Sequence, residues 1–211
     1  MSFVSPGHHP LYRHLWAELN GRRGVRPPRR SRRRLEHALV ARVNDPALFR
    51  RLDRIRAALS GLGFARAVPD HTLHLPILNL NRIPTSRLAT VAERLQASLH
   101  GRAPFAVSIA HLNYANGGVF AEIDRVDEIV ALSGSLREQL GLPADAAPGV
   151  PGFPLARITS PAAARLLVQA LEWFRERPIG EVPVHALQVV TLDNREPDDG
   201  FRRVAVLPLG G

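Results

Sequence analysis

The sequence predicts an α+β fold, on three observations. From His37 onward, segments with the helical apolar period alternate with segments of strand period. Two pairs of strands are joined by short polar turns, so the sheets cannot be all parallel. Two strand-like segments, residues 73–78 (LHLPIL) and 151–158 (PGFPLARI), lie about half a chain apart and read as two copies of one motif.

The elements follow in order. Residues 10–19 place Leu11, Leu15, Trp16 and Leu19 at helical spacing, with Pro10 suited to a first turn. Residues 21–34 hold Pro27, Pro28 and an arginine run, which read as a linker or mobile basic arm. The expected division is therefore 1–36, an N-terminal helix and Arg-rich arm, and 37–211, the main domain. Residues 37–43 (HALVARV) form a strand. Asp45 and Pro46 open a helix with Leu48, Leu52, Ile55 and Leu59 on one face, ended by Gly61 and Gly63. A strand over 72–80 carries the first motif, and a helix follows over 85–99. Residues 105–111 and 119–124 make a hairpin around 113–118, with a helix after it over 126–140. A loop rich in Pro, Ala and Gly, 141–150, leads into the second motif strand. The last helix, 161–177, buries Leu166, Leu167, Ala170, Leu171 and Phe174. Strands 182–192 and 202–207 close the chain across a polar turn at 194–200.

Composition narrows the functional classes. At 211 residues and 45% hydrophobic content, the chain can build one domain or two small lobes sharing a cleft. No apolar run reaches the ~18–20 residues of a membrane helix, and the N-terminus lacks a leader pattern. The absence of cysteine excludes disulfides and thiolate catalysis, and a cytoplasmic location is expected. All 28 basic residues are arginine, a usage that suggests a high-GC bacterium. Arg22, Arg23, Arg26, Arg29, Arg30, Arg32, Arg33 and Arg34 account for all but one of the +9 net charge. The body is nearly neutral.

The paired segments resemble the His-x-Thr/Ser signatures of the two-histidine (2H) phosphoesterase superfamily, the 2′-5′ RNA ligase-like proteins. The resemblance covers roughly residues 37–208 and includes the closing strand, polar turn and final strand ending in Leu207, Pro208 and Leu209. It implies a duplicated, two-lobed fold in which each lobe gives one motif strand to a central cleft. It also implies two imidazoles, one acting as base and one as acid on a phosphodiester, with a hydroxyl two residues along holding phosphate. Here His74 is kept, Pro76 stands at the first hydroxyl position, and Gly152 and Pro154 replace the second pair.

Strict strand alternation puts Thr72, His74, Pro76 and Leu78 on one face, and Gly152, Pro154 and Ala156 on the matching face of the second strand. Arg157 then points away. The expected cleft floor is apolar apart from His74 and Thr72, with extra volume at Gly152. It suits a bulky, largely uncharged small molecule. His111 and His185 are candidate substitutes for the missing histidine. His71 and His74, three apart on a strand, face opposite sides and are not a metal pair. Asp193, Glu196, Asp198 and Asp199 read as a solvated loop, and no metal or cofactor is expected.

The functional expectation is a diverged enzyme, of specialised metabolism, binding a small organic or nucleotide-like ligand between the lobes. His74 is its lone acid/base, and ordinary phosphodiester hydrolysis is weak or lost. The alternatives are a cyclic phosphodiesterase or RNA ligase-like enzyme using a substitute histidine, and a non-catalytic RNA- or ligand-binding module. Residues 22–34 add an expectation of weak, non-specific nucleic-acid contact.

Overall fold

The computed structural model describes residues 9–28, 35–146, 150–175, 178–193 and 200–210. The elements run α1 (Pro10–Gly21), β1 (Gly24–Val25), β2 (Leu35–Arg42), α2 (Pro46–Ser60), β3 (Ala65–Ala67), β4 (His74–Asn79), α3 (Leu88–Leu99), β5 (Phe105–Ala115) and β6 (Gly118–Ile123). They continue as α4 (Val126–Gln139), β7 (Phe153–Ile158), β8 (Ala162–Ala163), α5 (Ala164–Arg175), β9 (Gly180–Val184), β10 (Ala186–Asp193) and β11 (Phe201–Pro208). Two sheets, ordered β11-β10-β2-β4 and β3-β7-β6-β5-β9, each carry one motif strand, and β1 pairs with β8 in a short ladder. The fold is α+β and two-lobed. β4 is an edge strand of its sheet.

Local chemistry explains the boundaries. Asp45 caps α2 by accepting the amide of Ala47, and Pro46 takes the first turn, where a missing N–H costs nothing. Leu48, Leu52, Ile55 and Leu59 are buried on one side of α2. The β5–β6 hairpin is tighter than expected. Its turn is Asn116 and Gly117 alone, with φ 51° and 80°. That Asn-Gly pair suits a two-residue turn needing positive φ twice, which lets β5 run on to Ala115.

The expected single strand over 182–192 is two strands in different sheets. The apolar alternation changes phase there, with Val182 and Val184 buried on one side of His185 and Leu187 and Val189 on the other. β9 joins the five-stranded sheet and β10 the four-stranded one. Polar residues 194–199 lie outside the described residues.

α3 packs on β11 and α4 on β4, whereas α2 crosses β3, β7 and β9. α1 and α5 pack on β5 and on one another. Gly180, opposite Ile109, faces Leu48 of α2. Tyr12 of α1 instead packs against Phe120, which alternates to the other side of β6. The five-stranded sheet is thus covered on both faces. His37 is buried and bonded through its ring nitrogens to Thr191 and Thr85 hydroxyls, joining β2, β10 and the turn before α3. Arg56 of α2 donates to the Val68 carbonyl and pairs with Asp53 and Asp70, fixing the approach to β4.

The stretch expected to be a mobile arm is anchored in part. Gly24 and Val25 pair with Ala163 and Ala162, and Val25 is buried. Residues 29–34 lie outside the described residues.

Candidate active site

The two motif strands share a distortion that strict alternation misses. Between β2 and β4, Val40 lies opposite Pro76 and Leu39 opposite Leu78, leaving Ile77 as an extra residue. Between β6 and β7, Phe120 lies opposite Pro154 and Val119 opposite Ala156, leaving Leu155 extra. Each bulge directly follows a proline, which has no N–H to give the ladder and is tolerated at such breaks. The burial sequence of Leu75–Leu80 matches that of Phe153–Ile158 position by position: buried, half-buried, buried, buried, exposed, buried. This is the duplication seen in side-chain packing.

The bulges correct the expected faces. Leu78 and Ala156 turn to the side opposite Pro76 and Pro154. Asn79 and Arg157 take their places on the less buried side. Thr72 also leaves the proposed floor. It lies in a single helical turn before β4, and its hydroxyl donates to the Pro69 carbonyl at 2.6 Å.

His74 sits opposite Arg42, buried, at one end of the β4 edge. Coiling of the four-stranded sheet brings the far corner onto it. The Phe201 ring lies 6.5 Å from that of His74, and the Arg42 guanidinium stands 4.8 Å above Phe201. Arg203 alternates to the same side as Phe201. Burial, then repulsion from Arg203, lowers the Arg42 pKa, so two cations share one field. Two buried polar atoms, Arg42 Nε and Gln188 Oε1, lack a hydrogen-bond partner among the described residues. Gln188 is paired with Val40 and so faces the same side as Arg42. This surface is cationic and polar, not the apolar floor expected. Arg42, Gln188, Phe201 and Arg203 were missed because they come from strands distant in sequence from either motif.

The second half-site is filled. Gly152 has φ +156°, and a Cβ there would lie 2.5 Å from Phe120 Cδ2 and 2.7 Å from the Ala121 carbonyl. The expected spare volume is absent. Tyr12 adds to the blockade. Completely buried, it packs 6.0 Å from the Phe120 ring. Its hydroxyl donates to Pro151 O at 2.8 Å and accepts from Ile123 N at 3.2 Å. Burial raises the Tyr12 pKa.

The two candidate substitute histidines lie outside the motif strands. His111 is an extra residue in β5 with φ +44°, and β6 separates that strand from β7. His185 is exposed between β9 and β10. Among the described residues, no group of three His, Cys, Asp or Glu side chains is placed to hold a metal.

A separate buried acid lies under α1. Glu122 is fully buried, accepts from Asn113 Nδ2 at 2.7 Å and lies 3.7 Å from Arg175, which stacks on Trp16. Burial pushes its carboxyl up to about 7, against the opposing pull of the Asn113 bond and Arg175. The folded state therefore holds its proton to higher pH than the unfolded chain, whose Glu titrates near ~4.3. The favourable contribution is complete below that unfolded value and is lost as pH rises through about 7. Glu122→Gln is expected to gain roughly 2–3 kcal/mol on the wild type between pH 5 and pH 8, read from urea unfolding at the two pH values.

No family profile matches the sequence, and no curated protein matches it. Solved structures do match. TT0787 of Thermus thermophilus aligns with TM-score 0.61 and 18% identity, over 83% of this chain and 98% of that one. E. coli LigT complexed with 3′-AMP aligns with TM-score 0.62 and 14% identity, over 85% and 100%. ATU0111 of Agrobacterium tumefaciens, a conserved protein of unknown function, aligns with TM-score 0.60 and 15% identity, over 86% and 93%. LigT has also been crystallised with NADP+, ATP and phosphate. The chain has the fold of the 2H phosphoesterase superfamily, the LigT-like proteins.

Proposed function

We propose that this chain is a diverged 2H-fold enzyme that binds a small, anionic, nucleotide-like molecule against the His74 face and has weak or no ordinary phosphodiesterase activity. The observation that carries this reading is the grouping of His74, Arg42, Phe201 and Arg203 on one side of a coiled sheet. Guanidinium groups bind phosphate through charge-assisted hydrogen bonds, and Phe201 offers an apolar ring beside them. The anionic character replaces the uncharged ligand expected from the motifs, and the nucleotides bound to LigT are of the proposed class.

His74 is the proton donor or acceptor in this reading. In-line phosphodiester cleavage calls for a base on the attacking oxygen and an acid on the leaving one, and the loss of one partner costs on the order of 10²–10⁴ in rate. Gly152 and Tyr12 leave no room for the second imidazole at its motif position. Turnover of a 2′,3′-cyclic nucleotide is thus expected to be feeble in the wild type and undetectable in His74→Ala. Robust turnover that persists in His74→Ala and disappears in His111→Ala or His185→Ala contradicts the proposal and favours the substitute-histidine reading.

A further inference from the structure

The described part of the basic arm closes over the tip of the β5–β6 hairpin and leaves a cavity of about 680 Å³, lined in part by Arg22, Arg23, Arg26 and Asn116. Both ends of this stretch are fixed. At one, β1 pairs with β8, Val25 is buried, and the Arg23 carbonyl accepts the amide of Ala164. At the other, Pro28 sits so close to Gly117 that a Cβ on the glycine would lie 2.5 Å from the proline nitrogen. Gly117 also has φ +80°, so turn conformation and close approach both favour glycine there.

The three guanidiniums differ in commitment. Arg22 pairs with Glu18 and stands 5.7 Å over the Tyr114 ring. Arg23 and Arg26 are exposed and have no acidic partner among the described residues. Among the described residues, no acidic side chain lines the cavity. Its volume is within the range of small-ligand sites. Tyr114 is only 4% exposed, so among the described residues no aromatic face is open to the cavity for base stacking.

We infer that this cavity is a second anion site, distinct from the His74 face, that holds a phosphate-bearing ligand through Arg23 and Arg26. The site lies at the hairpin tip of the five-stranded sheet, whereas His74 and Arg42 belong to the four-stranded one. An anchored backbone presents these guanidiniums without the entropy cost of ordering a free arm. Recognition is of phosphate and not of base sequence, because the stacking element is missing.

The test uses the full chain, with Arg23→Ala/Arg26→Ala beside Arg42→Ala, and two probes. Pyrophosphate represents a small phosphate metabolite, and a fluorescein-labelled single-stranded oligonucleotide of mixed sequence represents a phosphodiester backbone. The expected result is at least a tenfold loss of affinity for one or both probes in the double variant, with Arg42→Ala retaining this binding. If the oligonucleotide is the ligand, the plot of log affinity against log salt becomes shallower by about 1.4, as for two lost phosphate contacts on a single strand. Pyrophosphate binding identifies a small-molecule site, and binding of the oligonucleotide alone identifies a strand site. Failure of both probes to bind, unchanged affinity in the double variant, or loss of all binding in Arg42→Ala overturns the inference. The last result would place the phosphate on the His74 face and leave the proposed function standing.

Discussion

Gly152→His is expected to destabilise the protein and to restore no phosphodiesterase activity, although it rebuilds the missing signature residue. Gly152 occupies a conformation that L side chains rarely adopt, and the first atom of any side chain meets Phe120 and the Ala121 carbonyl. Backbone strain and overpacking each cost about 1–3 kcal/mol, so a combined loss on the order of 4 kcal/mol follows. For a chain of this length that lowers the melting temperature by roughly 10 °C. Adding Pro76→Thr and Pro154→Thr supplies hydroxyls but does not relieve the collision. Thermal melting and a cyclic-nucleotide assay on the single and triple variants check this. An unshifted melt with new turnover in the triple variant would show that the second half-site is vacant after all.

Tyr12→Ala is expected to lower stability by about 4 kcal/mol. A fully buried aromatic ring typically contributes ~3–5 kcal/mol against alanine, and its removal strands the Ile123 amide and the Pro151 carbonyl. Tyr12→Phe keeps the ring and loses only the two hydroxyl bonds, so a smaller loss of about 1–2 kcal/mol is expected. Denaturant unfolding of both variants measures the pair. A Tyr12→Ala variant within about 1 kcal/mol of wild type contradicts the view that α1 is part of the packed fold. For the same reason, deleting residues 1–36 is a poor probe of the basic arm, since it also removes this side chain.

The helices and the duplicated strands were legible because their signals are local. Leu48, Leu52, Ile55 and Leu59 mark the buried side of α2, and Asp45 and Pro46 mark its start. Some signals were present and underused. The Asn116–Gly117 pair indicates a two-residue turn, the phase change around His185 indicates a change of sheet, and a proline inside a strand indicates a bulge. Read that way, Pro76 and Pro154 already warn that Leu78 and Ala156 leave the His74-type face. The rest was not legible from local patterns. Arg42 and Phe201 meet only through the coiling of a whole sheet, and Tyr12 reaches Gly152's surroundings from 140 positions earlier in the chain. Periodicity carries no information about either contact.

Calorimetric titration of 3′-AMP into wild type and Arg42→Ala reports whether an anionic ligand is held beside His74 by Arg42 and its neighbours. Arg42 is half-buried, stacked on Phe201 and paired across the ladder with His74, so the variant removes a charge from the His74 face. Measurable binding by the wild type and at least a tenfold loss in Arg42→Ala, about 1.4 kcal/mol or more, are expected, with the melting transition of the variant still cooperative. Equal affinity in the two proteins, or no binding by a folded wild type, would contradict this expectation.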